Sequence, residues 1–188
     1  MQNMTNYKFI SADSHVQEPN SLYEDRVPAE YRHRTPHIEK RNGSTYLVRE
    51  GKRDRRLDLA ASRITEEDMD REFRRDESGG RDISIRLSDQ ERDGIRGDVI
   101  YPNQGLSLFS SPDPGYQMAV AKAYNDWMIE LFGPHPDRFA PAAIVLVADV
   151  PASVNEVRRV HKMGYRVISV PMPHAPLHGT PQLASKVV

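Results

Sequence analysis

The 188-residue sequence has no cysteine, so it can form no disulfide and offers neither a thiolate metal ligand nor a Cys nucleophile. Any metal ion must be held by His, Asp and Glu. An excess of one charge is also missing. Lys+Arg number 26 and Asp+Glu 27, for a formal net charge of -1, which leaves no long-range positive field to hold nucleic acid or an anionic bilayer. No window approaches the ~18 apolar residues of a membrane span. Met1–Lys8 also lacks the cationic start and apolar run of a leader. A cytoplasmic protein with no nucleic-acid or membrane partner is the expectation. Neither Gly-x-Gly-x-x-Gly, a phosphate-binding Gly-Lys-Ser/Thr loop nor a Gly-x-Ser-x-Gly elbow occurs, so nucleotide binding and serine-hydrolase chemistry lose their main support.

What is present fits an ordinary globular chain, 38% hydrophobic and 28% charged. At ~150 residues per domain it reads as one domain. Tyr7–His15 begins apolar at Phe9 and Ile10, then turns polar, and predicts a strand ending in a loop. From about Tyr31 to Arg96 both charge signs mix and large apolar side chains are few, as in Arg49–Arg56 and Glu66–Glu77, which predicts an excursion away from the core. Within it Ser78-Gly79-Gly80 marks a turn, and Leu87–Asp93 before Gly94 predicts a short helix stopped by a glycine.

Regular structure resumes with a strand at Asp98–Pro102, halted by a proline that cannot donate to a ladder. Ser111-Pro112-Asp113-Pro114 starts a helix on which Val120, Tyr124, Trp127, Met128 and Leu131 recur at three- and four-residue steps until Gly133-Pro134. This aromatic stripe is core packing rather than a cofactor site. The apolar run Pro141–Val147, a helix opened by Asp149-Val150-Pro151 and closed by Gly164, and the strand Tyr165–Pro171 compose a βαβ unit. The class is therefore α/β with four predicted strands.

The chemistry is concentrated in Asp13-Ser14-His15 at the end of the first strand. Alternate residues of a strand share a face, which puts the two side chains together with Cα atoms roughly 6.6 Å apart. They could close on one divalent ion. Taken alone, the three residues read more readily as a turn-capping Asp and a hydrogen-bonding His. The pairs His33/His37 and His174/His178 have helical spacing, but Pro36, Pro173 and Pro176 argue against those helices. His174 follows the fourth strand, the edge on which α/β enzymes build sites. His135 and His161 read as surface residues.

These residues resemble a family. Ile10–Pro19 is similar to the opening strand of metal-dependent amidohydrolases, in the branch containing aminocarboxymuconate-semialdehyde decarboxylase and γ-resorcylate decarboxylase. Arg26–Arg32, Asp93–Pro102, Ala123–Trp127 and Pro136–Phe139 resemble further family segments in the same order, so the likeness runs from about residue 8 to 174. It implies a (β/α)8 TIM barrel with the site at the C-terminal strand ends, and for this chain the N-terminal half of one, a partial domain over 1–188 with 31–96 as a charged insertion after the first strand. It implies that Asp13 and His15 are metal ligands, for zinc or sometimes manganese. By the same likeness Tyr101 and Asn103 line the substrate pocket, and His174 reaches it.

The family draws a later His and Asp from its fifth and eighth strands, which have no counterparts here, and a full barrel usually needs ~250 residues. A truncated chain is thus expected, with no catalytic acid or base assigned. The implied function is hydrolysis of an amide, ester or lactone, or non-oxidative decarboxylation of a small carboxylate. Two alternatives remain open: a non-catalytic half-barrel that self-associates through its open strand edges, and a small doubly wound α/β domain.

Overall fold

The structure, a computed structural model, describes residues 9–56 and 80–171. His174, the Glu66–Glu77 run and Ser78-Gly79 lie outside the described residues. Strand β1 (Phe9–His15) is followed by a 3-10 turn at Asn20–Tyr23 and the single-turn helix α1 (Ala29–Arg32). Val16, Leu22, Tyr23 and Val27 from this stretch enter the main core.

Strands β2 (His37–Arg41), β3 (Ser44–Arg49) and β4 (Lys52–Arg56) then form a three-stranded antiparallel sheet of their own, an addition to the four strands expected from sequence. Two tight turns make it. Asn42 and Gly43 have φ of 51° and 72°, and Glu50 and Gly51 have 52° and 69°, the paired positive values that suit two-residue hairpin loops.

Helix α2 (Ile83–Asp93) starts on Asp82, whose carboxylate accepts from the backbone N–H groups of Ser84 and Ile85, and ends at Gly94 with φ of 71°. Sequence placed this end of the charged segment outside the core. Instead Ile83 and Leu87 pack against the core and Arg86 and Gln90 are buried, because these four residues share one helical face.

Strands β5 (Ile95–Tyr101), β6 (Phe139–Ile144) and β7 (Val167–Ser169) join β1 in a parallel sheet of order β1-β5-β6-β7. Helix α3 (Pro114–Phe132) links β5 to β6, and α4 (Val150–Lys162) links β6 to β7. Both helices are capped by an aspartate, Asp113 accepting from Tyr116 N–H and Asp149 from Ala152 N–H. Helix α3 supplies Tyr116, Val120, Tyr124, Met128 and Phe132 to the core against Ile100 and Ile144. The strand order is strictly sequential. A doubly wound sheet reverses order at a switch point, so among the described strands that alternative is not met, and winding in one direction is the barrel pattern.

Candidate metal centre

Three of the residues singled out in the sequence meet at the C-terminal end of β1. Asp13 Oδ1 lies 3.4 Å from His15 Nε2, and the Tyr101 ring stands 6.3 Å from the His15 ring. Pairing of β1 with β5 slips between Ser11 and Ser14, where three steps on β1 match two on β5. Asp13 therefore sits in a bulge, a device that re-aims side chains beside functional sites. Asn103, two residues past the end of β5, is exposed, and its backbone N–H is turned inward.

The His15 ring is held from the other side. Its Nδ1 is 2.8 Å from the Pro102 carbonyl oxygen, which can only accept, so Nδ1 is the donor of this bond, and in the neutral ring of that tautomer Nε2 is the nitrogen with a free lone pair. Metal-binding histidines are oriented in this way, one nitrogen donating to a carbonyl and the other free to coordinate. The separation fits as well. Two ligands each at about 2.0–2.1 Å from a tetrahedral zinc ion stand about 3.3 Å apart. Among the described residues no group of three or more His, Asp and Glu converges, so this pair is what the described chain offers an ion.

Around the pair lies a buried shell that sequence reading passed over. Arg86, nearly inaccessible, donates to the His15 carbonyl at 2.7 Å, to Ser14 Oγ at 2.9 Å and to Asp98 Oδ2 at 3.1 Å. It thereby ties α2 and β5 to the backbone that carries Asp13 and His15. Glu18 is completely buried and accepts the backbone N–H groups of Asn103, Gln104 and Gly105 at 2.9–3.0 Å. Burial pushes its carboxyl up, against the downward pull of those N–H groups. In sequence Glu18 is a single acidic residue in a loop, and its partners lie more than 80 positions away. Only the pairing of β1 with β5 brings them together.

No family model matches the chain, and no curated protein does. Solved structures do match. An amidohydrolase from Mycobacterium avium subsp. paratuberculosis aligns with a TM-score of 0.68 at 19% identity, over 88% of this chain and 49% of that one. A 2,6-dihydroxybenzoate decarboxylase complexed with 2,6-dihydroxybenzoate gives 0.50 at 18% identity, over 94% of this chain and 43% of its own. A 2,6-dihydroxybenzoate decarboxylase from Rhizobium gives 0.51 at 19%, over 94% and 42%. The chain thus spans half the length, or less, of the solved chains it matches. An amidohydrolase and decarboxylases of the kind the sequence resembles are its structural neighbours, and what it shares with them is the fold: mixed α/β, with a curled parallel half-barrel sheet.

Proposed function

We propose that this chain provides the first two metal ligands, Asp13 and His15, of a metal-dependent amidohydrolase-type enzyme, a hydrolase or a non-oxidative decarboxylase. The observation that carries the reading is the 3.4 Å approach of Asp13 Oδ1 to a His15 Nε2 whose ring is fixed through Nδ1 by Pro102. Zinc, or manganese, when bound supplies Lewis acidity toward a substrate oxygen or a bound water. Asp13 and His15 hold, Arg86 and Pro102 orient, and Tyr101 and Asn103 border the space above the strand ends. His174 is the further substrate contact on this reading. The substrate is a small carboxylate, amide or lactone. With two ligands from one strand, the chain alone binds zinc weakly, and turnover depends on the further ligands that the resemblance assigns to later strands.

The test is zinc affinity by equilibrium dialysis with metal analysis. Outer-sphere partners are worth about 10–100-fold in metal affinity, and a direct ligand at least as much, so His15→Ala should weaken binding tenfold or more. A folded His15→Ala protein that binds zinc as tightly as the wild type removes the reading.

A second reading, a self-associating half-barrel without catalysis of its own, is favoured by a different observation. Phe9 and Ile10 on β1 and Ile168 on β7, the two outer strands of the parallel sheet, are exposed.

A further inference from the structure

We infer that Glu18 is a positioning residue of this site, whose carboxylate gathers the loop after β5 and so fixes the Pro102 carbonyl that orients His15. The inference rests on the metal-site reading for its functional meaning and on geometry for its existence.

Residues 15–18 run alongside 101–105 and are fastened to them at successive points. Val16 N–H donates to the Tyr101 carbonyl at 3.1 Å, and His15 Nδ1 donates to the Pro102 carbonyl at 2.8 Å. Glu18 Oε1 then accepts Asn103 N–H and Gly105 N–H at 2.9 Å each, and Oε2 accepts Gln104 N–H at 3.0 Å. The Pro102 carbonyl shares one rigid peptide plane with the Asn103 N–H, so the bond from that N–H to Glu18 Oε1 also fixes where the carbonyl points. On the upstream side Pro102 follows Tyr101 in β5. On the downstream side it leads into the three-residue stretch that Glu18 holds.

A carboxylate is an unusual way to satisfy three backbone donors, because burying it is costly and a water or a neutral side chain serves most turns. What the carboxylate adds is rigidity. Two oxygens with about four lone-pair sites receive three N–H groups from consecutive residues, which leaves the loop no alternative path. Gly105 is packed to the same tolerance. A Cβ there would meet Ile144 Cδ1 at 2.9 Å, Pro102 Cβ at 3.0 Å and Glu18 Oε1 at 3.4 Å, so the loop lies against Glu18 with no space for a side chain between them. Asn103, the residue proposed to border the pocket, is carried on this same stretch.

The test uses Glu18→Gln, which keeps shape but turns one accepting oxygen into an amide that opposes the N–H groups. Gly105→Ala displaces the loop from the other side. Two readouts are taken on each protein: the ring-nitrogen NMR shifts of His15 in the metal-free chain at alkaline pH, and zinc affinity. The wild type should show His15 predominantly protonated at Nδ1. Both variants should show a mixture of the two neutral tautomers and zinc binding about 10–100-fold weaker, the range for loss of an outer-sphere partner. If Glu18→Gln does not fold, Gly105→Ala decides. A folded variant with the wild-type tautomer and wild-type zinc affinity overturns the inference. If the wild type itself binds no zinc, the metal-site reading fails, and the tautomer readout alone still decides whether Glu18 positions His15.

Discussion

Arg86 shows how much of this site is decided by single buried side chains. Its guanidinium is shared between Asp98, Ser14 Oγ and the His15 carbonyl, with its ion-pair partner Asp98 as buried as itself. Removing one member of such a pair strands a charge in the interior and typically costs about 3–5 kcal/mol, whereas replacing both by apolar groups of similar volume can be close to neutral. Arg86→Ala should therefore lower stability in urea by about that amount, and the double change Arg86→Met with Asp98→Leu should recover most of it. A single variant within about 1 kcal/mol of wild type would mean that the pair is not held as described. The difference between the residues that sequence singled out and those it passed over follows from the same chemistry. Asp13 and His15 are legible because their relation is local, two residues apart on one strand. Glu18 and Arg86 act through backbone groups that are 71 to 87 positions distant, and a backbone carbonyl or N–H leaves no mark in a sequence. Nothing about the bare letters separates Arg86 from the solvated arginines around it.

Among the elements, α3 and α4 were legible down to their caps, since Asp113-Pro114 and Asp149-Val150-Pro151 announce helix starts and apolar residues follow at helical spacing. The β2–β4 sheet was not, because β2 and β4 are heavily charged and β3 shows no clean alternation of polar and apolar residues. Asn42-Gly43 was the available signal, a dipeptide strongly associated with two-residue hairpin turns. How α3 and α4 dock is a matter of buried polar groups. The Asn125 amide accepts Ile144 N–H at 2.7 Å, and its Nδ2 donates to the Ile144 carbonyl at 3.0 Å and to Glu156 Oε1 at 2.9 Å. Arg159 donates to both oxygens of Glu156 and to Asp126. Burial pushes the Glu156 carboxyl up, but Arg159 and Asn125 outweigh it and hold it below the ordinary glutamate range. A carboxyl lowered on folding contributes stability that is fully present above its unfolded value, about 4.3, and is lost as pH falls through the folded value. Thermal unfolding followed by circular dichroism should accordingly show the melting temperature falling as pH drops below that range. Glu156→Gln should flatten this part of the profile and cost about 1–3 kcal/mol at neutral pH, where the charge-assisted bonds are lost. An unchanged acid limb in Glu156→Gln would assign the pH dependence to other carboxylates.

At the scale of the whole molecule, the described parallel sheet is a ribbon of four strands with two outer edges. Its order is β1-β5-β6-β7, so β1 and β7 each have one strand neighbour, and no other strand among the described residues pairs with their outer edges. Soluble proteins commonly protect such edges with lysine, proline or a covering segment. Here β1 begins with Phe9 and Ile10, exposed by 60% and 70%, and Ile168 on β7 is exposed by 44%. An apolar residue at an unpaired edge favours pairing with another chain, and in a preparation of this protein alone that chain is a second copy. Light scattering at micromolar concentration should therefore report a dimer or larger species. Ile10→Lys places a charge on the β1 edge, where it opposes strand addition, and should shift the distribution toward monomer. Because Ile10 is largely exposed, the change should alter stability by only about 0.5 kcal/mol and leave the Asp13–His15 pair, three residues and more along the strand, in place. Zinc affinity then separates the two functional readings: a monomeric Ile10→Lys protein that still binds zinc as the wild type does shows a metal site built within one chain, whereas loss of zinc together with loss of the dimer shows a site that needs both copies. A wild-type protein that is monomeric throughout this range removes the self-association reading and leaves the exposed edges without that role.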